Sequence, residues 1–172
     1  MKEFHPPHIY QDNTLYFITA KTVHQIRFFD NNEKKGIILD CLKKSVQKFC
    51  FKLIAWVLID NHYHIIVKVK QGKNVGFFIN NLHSNSSRIL NKIENKPGRQ
   101  IWYQYWDRCI RSEKDFYIRL NYIHHNPVKH KIVSEMKEYF YSSYNEYLKN
   151  YGIDWVNDCF EKYPIIDYTL EE

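Results

Sequence analysis

The chain has 172 residues, 44% of them hydrophobic and 26% charged; that is one domain's worth, able to bury a core without disulfide or metal staples, and it excludes a disordered chain. Five glycines and five prolines exclude collagen-like and low-complexity chains, and no apolar run approaches the ~20 residues that cross a membrane. The net charge of +6 is unevenly spread: residues 1–150 carry 24 Lys and Arg against 13 Asp and Glu, residues 151–172 only 1 against 6.

In chain order, TLYFITAKTV (14–23) is apolar and β-branched and reads as a strand. Asn31 and Asn32 are positioned to cap a helix over 33–49, with Ile38, Cys41, Leu42, Val46 and Phe49 as its buried stripe. FKLIAWVLID (51–60), the turn pair Asp60-Asn61 and HYHIIVKVK (62–70) read as a hairpin of two strands. A helix over 75–93 follows, turned inward by Phe78, Ile79, Leu82, Ile89 and Ile93. IWYQYWDRCI (101–110) reads as a strand kinked near Trp106-Asp107, and Ser112 through Asp115 is a capping pattern that opens a helix expected to end before Pro127. Beyond Ser134 the chain is aromatic without clean periodicity, and a short helix and a packed tail are expected.

The order β-α-β-β-α-β-α predicts an α+β, ferredoxin-like split βαβ antiparallel sheet with helices on one face and an additional C-terminal helix. One domain is expected over 1–150, with 151–172 an acidic tail packed on it and docked on the basic surface. The four cysteines, Cys41, Cys50, Cys109 and Cys159, show no CxxC spacing, which speaks against a zinc ribbon and fits a reducing, cytoplasmic setting. The first residues lack the basic-then-apolar pattern of a signal peptide, and none is expected. A basic body that is 17% aromatic suits a nucleic-acid partner, because cations neutralise phosphates and rings stack on bases. A lysine-rich solvated surface explains the charge equally well.

His62-Tyr63-His64 is the first candidate constellation. Strand alternation puts His62, His64, Ile66 and Lys68 on one face and Tyr63, Ile65, Val67 and Val69 on the other, which is the natural helix-packing face. Two histidines then sit side by side on an open sheet face, where both can reach one divalent ion. Spacing alone does not separate this from two unrelated polar residues. On the helix after Ser112, Phe116, Leu120 and Ile123 form the apolar stripe, while Asp115, Arg119, Tyr122 and Asn126 share another face. Tyr122 with Asn126 one turn on pairs a nucleophile with a hard ligand; a core tyrosine and a helix-ending Asn is the plainer reading. His125 lies at i+3 from Tyr122, and His124 and His130 are nearby. Lys68, Lys70, Lys73, Arg88, Lys92, Lys96 and Arg99, with Arg108, Arg111 and Lys129 later, form a basic set, and Arg88, Lys92 and Lys68 or Lys70 are expected to make the surface beside the His pair positive.

WVLIDNHYHIIV (56–67), LHSNSSRILNK (82–92) and LNYIHHNPVKHKIV (120–133) resemble the single-tyrosine HUH transposases, and more narrowly the REP-associated tyrosine transposases. The His-hydrophobe-His motif is filled by His62, Tyr63 and His64. The Tyr-Ile-x-x-Asn-Pro-Val signature is filled by Tyr122, Ile123, Asn126, Pro127 and Val128. Asn126 stands where insertion-sequence relatives carry Gln, which selects the REP-associated branch. Tyr63 is bulkier than the usual middle residue, and His125 replaces a more usual apolar residue.

The resemblance implies a metal-dependent endonuclease and strand-transferase acting on single-stranded or hairpin DNA. It implies Tyr122 as the nucleophile forming a 5′-phosphotyrosine, and His62, His64 and Asn126 as ligands of Mg²⁺ or Mn²⁺. His125 becomes an outer-shell candidate, and Lys68, Lys70, Arg88, Lys92, Arg108, Arg119 and Lys129 become DNA contacts. A monomer or homodimer without membrane association is expected. Two other classes fit the composition: a non-catalytic RNA-recognition-like binding domain, and a nuclease using a metal-activated water.

Overall fold

A computed structural model describes residues 11–166. The elements are β1 (Thr14–Thr22), α1 (Asn32–Lys48), β2 (Lys52–Leu58), β3 (His62–Val69), α2 (Val75–Ile93), β4 (Trp102–Ile110), α3 (Glu113–Lys129) and α4 (Tyr144–Lys162), with short 3₁₀ turns between some of them. The strands form one antiparallel sheet in the order β2-β3-β1-β4. This is the ferredoxin-like arrangement expected from the element order: each βαβ unit leaves a gap that a strand of the other fills.

Alternation along β3 assigns the two faces. Tyr63, Ile65, Val67 and Val69 enter a core with Ile38 and Leu42 of α1 and Phe78, Ile79 and Leu82 of α2. The opposite face carries Ile66 of β3 into a second core with Phe17, Ala55 and Val57 and with Leu120, Tyr122 and Ile123 of α3. The His-bearing face is therefore not open. The additional helix α3 lies across β2 and β3 on that side, and His62 and His64 are 8% and 0% exposed. Apolar periodicity cannot announce this, because α3 meets β3 across a long stretch of chain.

α1 starts where Asn31 accepts a hydrogen bond from the Lys34 N–H, and α3 where Ser112 accepts one from the Asp115 N–H. α3 runs through Pro127 to Lys129 rather than ending before it. Proline costs the Ile123 carbonyl its helical donor, but it falls in the last turn, and Ile123, Asn126 and Pro127 are all buried. The carbonyls of Asn126 and Pro127 still find the N–H groups of His130 and Ile132. Packing against the sheet outweighs the local preference. The β4 kink expected at Trp106-Asp107 is likewise displaced: the register shifts between Lys21 and Thr22, opposite Gln104 and Trp102.

β2 is an edge strand, and the chain covers part of it. Leu58 N–H donates to the Tyr141 carbonyl and Ser143 N–H to the Trp56 carbonyl, both at 2.9 Å, which covers the Trp56–Leu58 end of that edge against pairing with another chain. The segment after Ser143 begins with the expected short helix, and a second helical stretch follows it across a break at Gly152, where φ is +84° and ψ is 166°. Residues 151–162, the start of the acidic segment, form the second half of α4. That half packs on α3: Asn121 Nδ2 donates to the carbonyls of Cys159 and Tyr163 at 3.0 and 2.8 Å. The expected docking of the remaining tail, from 167 on, lies outside the described residues.

Candidate active site

The sheet register builds the site row by row. One row across the His-bearing face runs Val57, His64, Thr19, Trp106; the next joins His62, Lys21 and Gln104. Thr19 Oγ1 is 2.7 Å from His64 Nδ1, and Asn61 Oδ1 is 2.7 Å from His62 Nδ1. With Nδ1 engaged on both rings, Nε2 is the nitrogen left for a ligand on each. The two rings are 5.1 Å apart, centroid to centroid.

α3 closes the site from above. The Tyr122 ring stands edge-on to His64 at 5.1 Å and to Phe17 at 6.3 Å. Phe17 in turn stacks on His64 at 5.7 Å. Asn126, one turn beyond Tyr122, is fully buried, and neither atom of its amide has a hydrogen bond; His62 Nε2 is buried in the same condition. Asn126 approaches His62 closely enough to favour its charged form, but without hydrogen-bonding geometry. A buried amide with neither partner costs on the order of 1–3 kcal/mol, and such exceptions in native proteins mark a missing ion, water or function.

Burial also holds the imidazoles neutral. Desolvation, then the neighbouring His130 charge, pushes His62 down to about 3. Desolvation, then His62, lowers His64 well below the usual range. Two neutral imidazoles and an amide oxygen can together donate to one divalent ion. Among the described residues no group of three or more His, Cys, Asp or Glu is placed to hold a metal. The set here has two such residues, and its third donor is the amide of Asn126.

The other candidates are distributed as follows. Lys129 sits over Tyr122: its Nζ donates to the phenol oxygen at 3.1 Å and lies 4.8 Å from the ring centroid. Arg119 is 3% exposed, paired with Asp115 at 2.7 Å and stacked on Phe17 at 4.7 Å, so it braces the ring behind His64 instead of lying on the surface. Lys68 and Arg108 are exposed on the His-bearing face, and Lys70 is exposed just past the end of β3. Arg88 and Lys92 are exposed on α2, which packs on the other side of the sheet. They therefore do not line the surface beside the His pair, contrary to the expectation from their nearness in sequence.

His125 is half-buried, its pKa lowered by burial and then by Lys129. His124 turns away to Ser143 Oγ at 3.1 Å, among the rings of Tyr144 and Tyr147. Tyr117 also points away, stacked on Tyr163 at 4.7 Å. One neighbour, and one contact of a residue already assigned to DNA, were not read from the sequence. His130, capping the end of α3, has its ring 4.8 Å from that of His62. The contact of Lys129 with Tyr122 was hidden in a list of basic residues, although i+7 is about two helical turns and puts both on one face.

Residues 12–126 match the protein-family model described as Transposase IS200 like. Over 112 residues the chain is 29% identical to the REP-associated tyrosine transposase of Escherichia coli (strain K12), covering 63% of this chain and 64% of that protein. Over 125 residues it is 30% identical to a protein of the same family name from Haemophilus influenzae (strain ATCC 51907 / DSM 11121 / KW20 / Rd), covering 66% of this chain and 71% of that one. The first of these matches spans just under two thirds of the relative's length. The fold matches the solved structure of a REP-associated tyrosine transposase bound to a REP hairpin, with a TM-score of 0.71, 20% identity and 87% of each chain covered.

Proposed function

The chain belongs to the IS200-like transposase family and, within it, to the REP-associated tyrosine transposases, and from that premise we propose that it is a metal-dependent single-strand DNA endonuclease and strand-transferase whose nucleophile is Tyr122. The observation that carries the proposal is the placing of a phenol against His64, 5.1 Å ring to ring, in the cleft where the Asn126 amide is buried without a hydrogen bond. A binding module of the same fold has no use for such a set.

His62 Nε2, His64 Nε2 and Asn126 Oδ1 would hold a Mg²⁺ or Mn²⁺ ion. When bound, that ion polarises a phosphate oxygen and lines the phosphate up for displacement. Asn61 and Thr19 keep the two imidazoles oriented through Nδ1. Tyr122 Oη attacks phosphorus, and the bond from phosphorus to the 3′ oxygen of the preceding nucleotide breaks. The phenol proton leaves to solvent, and the departing 3′ oxygen gains one. The product is a 5′-phosphotyrosine and a free 3′-hydroxyl, and attack by a 3′-hydroxyl on that link rejoins strands. Tyr122 is 1% exposed, so the phosphate reaches its oxygen only after a local rearrangement of the residues that cover it.

The substrate in this reading is hairpin DNA with a single-stranded flank. Exposed Lys68, Lys70 and Arg108 would grip phosphates. The relative solved with a REP hairpin supports the hairpin part of the proposal. Oligonucleotides labelled on the 5′ side or the 3′ side of the flank test the reading. Label 3′ of the cut should stay on the protein through denaturation, and label 5′ of it should be released. Cleavage with no adduct would replace the phosphotyrosine with an activated water.

A further inference from the structure

The contact between Lys129 and Tyr122 carries an inference that rests on the function proposed above but reaches a residue that function does not use. We propose that Lys129 is a catalytic residue: its ammonium holds the Tyr122 oxygen and stabilises the negative charge on it when the phosphotyrosine bond is formed and broken. Lys129 would otherwise count as one more phosphate contact.

Two observations support the assignment. First, the Nζ–H donates to Oη at 3.1 Å and the ammonium lies 4.8 Å from the ring centroid, so the cation addresses both the oxygen and the π face. Second, the geometry follows from the helix. Seven residues is about two turns, and helical side chains lean toward the N-terminus, so Lys129 reaches back over Tyr122.

The chemistry balances without another reactant. In rejoining, a DNA 3′ oxygen attacks phosphorus, the bond from phosphorus to Tyr122 Oη breaks, and its electron pair stays on Oη. The 3′-hydroxyl gives a proton to water, and the phenolate later takes one back. Lys129 donates a hydrogen bond throughout and keeps its own proton. A fixed donor aimed at the oxygen where charge develops acts most strongly in a water-poor site.

The test uses the full-length protein, Mn²⁺, and a hairpin oligonucleotide with a randomised single-stranded flank, with adduct formation followed by denaturing gel in single turnover. Wild-type adduct formation establishes the underlying reaction; its absence would defeat the parent reading and this inference with it, whereas an unimpaired Lys129 variant defeats this inference alone. In Lys129→Met, the rate at saturating DNA should fall on the order of 10²-fold. DNA affinity should change little. Lys129→Arg, which keeps the charge and a donor, should recover most of the rate. Thermal melts of both variants exclude unfolding as the cause. The proposal is overturned if Lys129→Met reaches the wild-type rate at saturating DNA, or if its defect is confined to affinity with a salt slope smaller by about one.

Discussion

His64 and Tyr122 meet edge to face, ring centroids 5.1 Å apart and planes 73° from parallel, and that contact joins the strand motif to the helix motif. β3 delivers His64 through its alternation, and α3 delivers Tyr122 by packing on β2 and β3. Phe17 fills the angle between the two rings, with Arg119 behind it. The site is thus part of the second core, and its geometry has the rigidity of packed side chains.

Tyr122→Phe removes one oxygen and no packing. It loses the hydrogen bond from Lys129, so stability should fall by no more than about 1 kcal/mol. The covalent adduct should disappear, while hairpin affinity stays within about twofold because phosphate contacts set it. Wild-type cleavage by this variant, measured on the same labelled hairpin, would remove Tyr122 from the mechanism.

Asn126 should show a conflict between stability and function. Its amide is buried with neither half bonded, and an apolar residue of similar size has no such penalty. Asn126→Leu should raise the melting free energy of the metal-free protein by about 1–3 kcal/mol. It should also abolish the thermal shift that Mn²⁺ gives the wild type. His64→Ala should lose the metal shift as well but melt lower, since it opens a cavity beside Phe17. A destabilised Asn126→Leu would mean that the amide makes bonds worth keeping.

Much of this arrangement was legible in the sequence, for reasons that differ by element. α2 has the same bounds, 75–93, in the reading and in the structure, but Ile93, read as facing inward, is 54% exposed, and Leu90 is the apolar residue buried near that end. The division of β3 into a Tyr63 face and a His64 face followed from alternation alone. Local rules misjudged α3 at Pro127, where tertiary burial decides, and gave no sign of the second helical stretch after Gly152, because that glycine at positive φ interrupts the helical spacing. The covering of the His pair by α3 was not legible, since it depends on which sheet face a later helix chooses. The same choice separates Arg88 and Lys92 from the site and brings His130 to His62.

That separation predicts unequal effects on DNA. Lys68 and Arg108 are exposed on the His-bearing face, whereas α2 lies across the sheet. Lys68→Ala and Arg108→Ala should each weaken hairpin binding and lower the salt slope by about one. The double variant Arg88→Ala/Lys92→Ala should keep both affinity and slope close to wild type. Equal losses from the two pairs, in binding titrations between low and moderate salt, would mean that DNA wraps around the sheet edge to α2.

Acid sensitivity should come partly from His83, away from the proposed chemistry. Its Nε2 is 2.9 Å from Tyr63 Oη and its ring stacks on Trp102 at 4.5 Å. Burial pushes its pKa down to about 3. The unfolded chain takes up the proton near the ordinary value of about 6.5, so it binds more protons than the folded state between the two values. Stability is therefore present above about 6.5 and falls as the pH drops, by about 1.4 kcal/mol per pH unit from this one group. Between pH 6.5 and pH 5 the loss from His83 should reach about 2 kcal/mol. His83→Gln keeps a polar partner for Tyr63 and removes the titration. Chemical denaturation at pH 7 and pH 5 should show a smaller pH-induced loss for the variant than for the wild type; equal losses would place the acid sensitivity in other groups.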